Sequence, residues 1–379
     1  MYKKKIFTLF AILCFFLILE IISFFTINFI KYKNNSYFKN YEFELKKINN
    51  SFYNIKKFLL SDYFSQELGW DNFEKNKLNK FKARLDRENQ NKKMSYITFG
   101  SSFTWGDGVQ NNETWQYYLS KELDTYVANF GVGGFSAYQA LLKFKNNKFI
   151  FHSNDTVILT IFESEIDRMR NGYSNFYFES GFRIRPLAQI INNSLYHKQL
   201  PNFKGLNIET EYLEYIKKIK ELDPWWNRKI DITFPYSIKY INYLLNKLQD
   251  RFEMKIINTN YKNAWNNITT NNILIKTIED FKTHSNKNKL NTIIVLLPRI
   301  RNKLESGYKY QDIKKSLNNK NICIIDFAEY VNFYKLKNNQ NTVLNDGHYS
   351  KFTYQLLAKF MAKKIEKISK NNFNCEKLI

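Results

Sequence analysis

Two short stretches carry residue types that can do nucleophilic chemistry. The first is Gly100-Ser101-Ser102-Phe103-Thr104-Trp105-Gly106. It follows the alternating run Tyr96, Ile97, Phe99 and leads into a Gly106-Asp107-Gly108 turn, the pattern of a strand that hands a serine to the start of a helix. A hydroxyl placed there stands at the carboxyl edge of a sheet, where open α/β folds bind ligands, and backbone N–H groups at a helix start can stabilise negative charge. Alone, the stretch reads equally well as an ordinary Gly-Ser turn. The second is Leu344-Asn345-Asp346-Gly347-His348-Tyr349-Ser350. An Asp two residues before a His can orient the imidazole and stabilise its cation, so that the ring can deprotonate a serine brought close by the fold. Taken alone, Asp-x-His is more often a turn with a solvated acid. His152, His197 and His284 have no such company and read as surface or packing residues.

A third stretch, Asn129-Phe130-Gly131-Val132-Gly133-Gly134-Phe135-Ser136, superficially resembles a dinucleotide fingerprint. Ser136 stands where the third glycine belongs, and the run follows the second predicted strand rather than the first, so no cofactor is expected. Its glycines suit a close backbone approach to a substrate oxygen, with an N–H aimed into the site. Glu163, Glu165 and Asp167 follow the third strand and read as loop and helix-start charges rather than a carboxylate site. No Walker loop or metal-ligand cluster occurs, so no metal is expected. Cys14, Cys323 and Cys375 lie in an apolar helix, a strand and the tail, with nothing in their spacing that requires a disulfide.

Positioning these residues requires alternating strands and helices. Strands are predicted at Tyr96 to Phe99, Tyr126 to Phe130, Thr156 to Phe162, Thr292 to Leu297 and Asn321 to Phe327. Helical spacing marks Thr114 to Leu123, Ala137 to Phe144, Ile273 to Thr283, Tyr310 to Leu317 and Thr353 to Ile368. Five strands with helical crossovers imply an α/β fold, a doubly wound parallel sheet covered on both faces. Between about 171 and 267 the alternation lapses into a long irregular insertion. Its aromatics (Tyr212, Tyr215, Trp225, Trp226, Phe234, Tyr236, Tyr240) imply a subdomain packed over the substrate side of the sheet.

Residues 1–5 are short and basic, and Ile6 to Ile30 is apolar apart from Glu20, long enough to cross a bilayer. With no small-x-small cleavage site and Lys31 and Lys33 following, this reads as an uncleaved signal anchor, its bulk outside the cytoplasm. Residues 31–93 read as a stalk packing on a main domain over 94–370, with helical spacing from Tyr41 to Phe64. The net charge of +23, from 58 Lys and Arg against 35 Asp and Glu, raises the question of nucleic acid. The lysines are spread among asparagines without a basic helix, so none is expected as a partner. The expected contacts are the membrane, through the N-terminal helix, and a substrate; the oligomeric state is left open.

With these motifs in place, the chain resembles the SGNH/GDSL hydrolases, and in particular their membrane-anchored bacterial branch. Gly100 to Gly106 looks like the family's Gly-Asp-Ser-Phe-Thr-Phe-Gly opening. Glu67 to Trp70, Gly108-Val109, Glu113 to Trp115, Asn129 to Gly134, Gln139 to Leu142 and Asp346 to His348 fall in the matching order. The resemblance implies a flavodoxin-like sheet, Ser102 as nucleophile, His348 as base and Asp346 as its orienter. It also implies an oxyanion hole from the N–H groups of Ser102 and Gly134, with Ser164 at the position of the family's asparagine. The implied activity is a serine esterase or O-acyltransferase acting on acyl, chiefly acetyl, esters of an extracytoplasmic glycan. A lipid acylhydrolase and a non-catalytic glycan-binding or assembly protein are the alternatives. Three positions depart from the family: Ser101 replaces its Asp, and Ser164-Glu165 its Asn-Asp.

Overall fold

The alternation closes into one five-stranded parallel sheet. The computed structural model describes residues 2–33, 56–72, 75–147, 151–169, 172–173, 184–198, 200, 207–220, 230–256, 268–301, 310–317 and 320–375. The sheet strands are β1 (Met94–Phe99), β2 (Tyr126–Asn129), β3 (Thr156–Phe162), β4 (Asn291–Leu297) and β5 (Cys323–Asp326). Their spatial order is β2-β1-β3-β4-β5, every neighbouring pair parallel. This is the flavodoxin-like order, whose winding reverses between β1 and β3, the place where such sheets bind ligands beyond the carboxyl ends of the strands.

β3, TVILTIF, is buried at every position, as a central parallel strand covered by helices on both sides must be. On one face Ile158, Ile293, Val295, Leu297 and Ile325 pack with Trp115, Leu119, Leu357 and Met361, from the helices Trp115–Glu122 and Lys351–Lys370. On the other, Phe99 stacks on Phe130 at 5.4 Å and meets Phe144 and Phe281, from the helices Ala137–Asn146 and Ile268–Lys287. Helix starts are capped: Thr114 and Ser350 accept from Tyr117 and Thr353 N–H, and Ser136 forms a capping box with Gln139.

The cysteine spacing required no disulfide, but one is present. Cys323 in β5 and Cys375 beyond the last helix form a disulfide, Cα atoms 5.2 Å apart, that ties the tail to the sheet. Spacing could not show this, because the helix Lys351–Lys370 brings the two together. The expected irregular insertion is also corrected: it contains an antiparallel hairpin, Leu187–Ile191 with Ser194–Lys198, and helices Ile208–Lys220 and Tyr236–Ile256. Trp225 and Trp226 lie outside the described residues.

The chain divides into two compact units. One, Asp62–Gly172, Ile184–Asn202 and Asn263–Ile379, contains the sheet and the hairpin. The other gathers Met1–Ser61, Tyr173–Arg183 and Phe203–Lys262. Within it the helix Tyr2–Lys33 is long and apolar enough to cross a membrane, with mean hydropathy 2.7 over its most apolar window and few buried residues. Of the expected stalk, 34–55 lies outside the described residues, and the segment from Asp62 onward belongs to the unit of the sheet.

Candidate active site

β1 ends at Phe99, and the chain turns at Gly100 into a short helix, Ser102–Trp105, with Ser101 as its N-cap. Gly100 has no room for a side chain: an added Cβ would lie 2.0 Å from Thr104 Oγ1 and 2.2 Å from Thr160 Oγ1. Gly106, at φ +86°, ends the helix in the left-handed conformation that glycine adopts without steric cost. Ser102 is therefore fixed at the carboxyl edge of β1, beside the switch point, and is almost fully buried.

Arg84 holds this turn in place. Its guanidinium donates to the carbonyls of Trp105, Gly106 (2.8 Å) and Val109 (2.7 Å), and to Asn111 Oδ1, while lying over the Trp105 indole. Gln116 and Asn129 side-chain amides donate to Thr104 O at 2.8 and 2.9 Å. Every carbonyl left open by so short a helix thus has a donor, as burial requires.

The Asn129 to Gly134 loop lies against the same turn. Val132 N–H donates to Gly100 O, and an added Cβ at Gly131 would sit 2.2 Å from Trp105 N. Glycine is required there by proximity to backbone. The loop is clamped from outside by Trp70 Nε1 donating to Gly133 O (3.0 Å) and Asn72 Nδ2 donating to Gly131 O (2.8 Å). Gly134, at φ +81°, is half-buried, and Arg185 reaches its carbonyl.

After β3, Ser164 is half-buried; the glutamates beside it, read as loop and helix-start charges, are both buried, and Glu165 opens the short helix Glu165–Arg168. Glu163 forms a buried ion pair with Arg301 (Nη1 to Oε1 2.9 Å) and accepts from Arg299 N–H, linking the ends of β3 and β4. Glu165 accepts from the Ser101 hydroxyl and from Phe162 N–H (3.1 Å), while its second oxygen, Oε2, has no partner among the described residues. Burial pushes its carboxyl up to about 7, against the opposing pull of Arg168, the Ser101 hydroxyl and the Phe162 N–H. The Asp167 side chain lies outside the described ones.

The fourth component is the loop before the last helix. Leu344 N–H donates to His348 O and Gly347 N–H to Leu344 O, closing a tight turn with Gly347 at φ +89°. His348 N–H donates to Asp346 Oδ1 (3.1 Å), and Nδ1 of the ring lies 3.0 Å from Asp346 Oδ2, although its N–H is not aligned along that vector. Burial acts to raise the Asp346 carboxyl, but the His348 backbone N–H and ring outweigh it and hold it below the ordinary aspartate range. The His348 ring sits 4.9 Å from the ring of Phe103, which itself stacks on Phe162 at 3.6 Å, so the imidazole is seated beside the residue that follows Ser102. Tyr349 and Tyr354 anchor the loop, their hydroxyls donating to Pro298 O and Phe103 O. His348 is thus placed next to Phe103, the neighbour of Ser102, and among the described residues no hydrogen bond links Ser102 to His348.

The remaining histidines are as expected: His152 is exposed, His284 packs on Phe144, and His197 meets the Tyr138 hydroxyl at 2.7 Å. No group of three or more His, Cys, Asp or Glu that could hold a metal occurs among the described residues. Sequence reasoning missed Arg84 and the Ser101–Glu165 link. Neither has a local signal, because each acts across the fold.

A buried serine thus stands at the carboxyl end of β1 in a flavodoxin-like α/β sheet, and the Asp346-His348 loop packs on the phenylalanine that follows it. No protein-family model matches the chain. No curated protein matches it either. Among solved structures it is similar to a protein assigned to the G-D-S-L lipolytic family from Desulfitobacterium hafniense DCB-2, with 13% identity, 72% of this chain and 99% of that chain covered, and a TM-score of 0.34. A member of the lipolytic G-D-S-L family from Veillonella parvula DSM 2008 is similar at 13% identity, with 72% and 96% covered and a TM-score of 0.36.

Proposed function

We propose that this chain is a membrane-anchored SGNH/GDSL-type serine esterase or O-acyltransferase acting on acyl esters, chiefly acetyl esters, of a glycan outside the cytoplasm. The observation that carries the reading is the seating of the His348–Asp346 pair against Phe103, beside a serine fixed at the end of β1. In this reaction Ser102 Oγ attacks the ester carbonyl carbon while His348 takes its proton. The tetrahedral oxyanion is stabilised by the N–H groups of Ser102 and Gly134 and by Ser164. Collapse breaks the acyl–oxygen bond, and the departing alkoxide receives the proton from His348. Water, or a sugar hydroxyl for transfer, then attacks the acyl-enzyme with His348 again as base. Asp346, with its carboxyl held low, is ionised at neutral pH and stabilises the imidazolium formed on the way.

The anchor reading rests on the helix Tyr2–Lys33. The Cys323–Cys375 disulfide supports an oxidising compartment for the sheet's unit, since such bonds persist outside the reducing cytosol. The test is labelling of the full-length protein by a fluorophosphonate probe. Wild type labels covalently and Ser102→Ala does not. Folded wild type that takes no label overturns the proposal in favour of a binding module, and label retained in Ser102→Ala overturns Ser102 as the nucleophile. Release of acetate from acetylated polysaccharide, measured beside fatty-acid release from phospholipid, separates glycan from lipid substrates.

A further inference from the structure

Glu20 is an acidic residue within an otherwise apolar helix, and a charge in a membrane span is costly unless it is partnered. Its partners are specific. Oε2 accepts from Tyr236 N–H (2.6 Å), and Oε1 accepts from Ser237 N–H (3.2 Å) and the Ser237 hydroxyl. The carboxylate therefore caps the N-terminus of the helix Tyr236–Ile256, satisfying open N–H groups with the sign of charge that a helix start favours.

From that point the two helices run the same way. Phe24 meets the Tyr236 ring edge to face at 4.9 Å, and Ile27 packs with Tyr243 and Ile230, with Ile30 and Tyr240 against them. Ile230, before the turn, lies beside Ile27, while Tyr236 after it lies beside Glu20. The chain thus descends along the N-terminal helix, turns at Phe234-Pro235, and climbs back as a helix.

At 1.5 Å per residue, Glu20 is roughly 15 Å below Ile30, about half the thickness of a hydrocarbon core. The helix Tyr236–Ile256 carries an outward stripe, Ile238, Ile241, Leu244, Leu245 and Leu248, each between 38% and 56% exposed. At 100° per residue these occupy an arc of roughly 120°, separate from the arc of Tyr236, Tyr240 and Tyr243. The stripe ends roughly 18 Å above Tyr236, and Lys247 stands there as Lys31 stands at the end of the apolar run of the N-terminal helix. An apolar face of matching length, directed away from the protein and running alongside a helix composed for lipid, fits acyl chains.

We propose that Phe234 to Leu248 is a re-entrant membrane segment, held at mid-depth by the Glu20 cap, with its Ile238, Ile241, Leu245 and Leu248 face against lipid. It rests on the reading of Tyr2–Lys33 as an anchor. We place the third arc, polar through Lys239 and Asn242, away from lipid.

The test uses the full-length protein with Cys14→Ser, reconstituted in phosphatidylcholine–phosphatidylglycerol vesicles and spin-labelled singly at Phe16→Cys, Ile241→Cys, Leu245→Cys or Asn242→Cys. These are exposed positions, so labelling leaves packing intact. Access to oxygen should exceed access to an aqueous nickel complex at Phe16, Ile241 and Leu245, with the difference larger at Ile241 than at Leu245. Nickel access should be greater at Asn242 than at Leu245. Nickel access at Ile241 and Leu245 with Phe16 protected overturns the re-entrant segment alone. Low access to both reagents there shows a second copy covering the stripe and also overturns it. Nickel access at Phe16 overturns the anchor and the segment together.

Discussion

Glu165 should make the stability of the sheet's unit fall as pH rises, and the magnitude follows from its surroundings. Its carboxyl is fully buried, one oxygen is unpartnered, and burial raises it from 4.5 to about 7. Below pH 4.5 both folded and unfolded chains hold the proton, and the residue contributes no pH dependence. Between 4.5 and 7 the unfolded chain releases it while the folded chain keeps it, so unfolding is increasingly favoured; above 7 the effect is complete. At about 1.4 kcal/mol per unit, the loss is about 3 kcal/mol. Glutamine at 165 can still accept from Ser101 and Phe162 but cannot ionise. Glu165→Gln should therefore gain on wild type by about 3 kcal/mol between pH 4.5 and 8, whatever its stability at the lower pH. Urea unfolding of the full-length proteins in detergent, followed by tryptophan fluorescence at several pH values, measures this difference. A difference between the two proteins that is constant across the range would refute the reasoning, because it would mean that Glu165 titrates alike in both states.

Gly131→Ala drives a Cβ into the backbone at Trp105, so it should cost about 1–3 kcal/mol and slow fluorophosphonate labelling, read by unfolding and gel fluorescence together. Reducing the Cys323–Cys375 bridge, which closes a separation of 52 residues, should lower stability by up to about 4 kcal/mol, seen as a reductant-dependent loss of Tm that Cys14→Ser retains and Cys323→Ser, lacking the bridge, does not show. If Ser164 is a weak oxyanion donor, Ser164→Asn should raise kcat on a small acyl ester by about tenfold with KM little changed, whereas loss of activity with the fold intact would show a separate role for the serine.

The sheet was legible because its central strands, β3 and β4, are short runs of buried, largely β-branched residues between turn signals, a pattern that local sequence carries. The same is true of Ser102, delivered by the end of β1, and of the Asp346–His348 turn. Arg84 was not legible: an arginine in a polar, charged stretch gives no sign that three carbonyls of the turn after Ser102 depend on it. The disulfide was hidden by the helix between its halves. The helix Tyr236–Ile256 was obscured because it has two apolar faces, Tyr236, Tyr240 and Tyr243 toward the N-terminal helix and Ile238, Ile241 and Leu245 outward, which blurs the single-stripe periodicity of a surface helix.

The three departures from the SGNH pattern are not of one kind. Ser101 and Glu165 lie 64 residues apart in sequence, yet the hydroxyl of one donates to the carboxyl of the other in the buried layer beneath the nucleophile. Acids at both positions would crowd like charges into a buried space, where one would have to stay protonated. A hydroxyl facing a single carboxyl avoids that conflict and still ties the β3 loop to the N-cap of the nucleophile helix. The Ser101 hydroxyl and the Glu165 carboxyl thus form one compatible buried pair. Ser164 has no such counterpart. It stands half-buried on the same loop, and its hydroxyl is shorter than an amide side chain would be in the proposed oxyanion hole. If the hole is weakened, the weakness lies at Ser164, and the Ser101–Glu165 tie keeps the surrounding loops in register regardless.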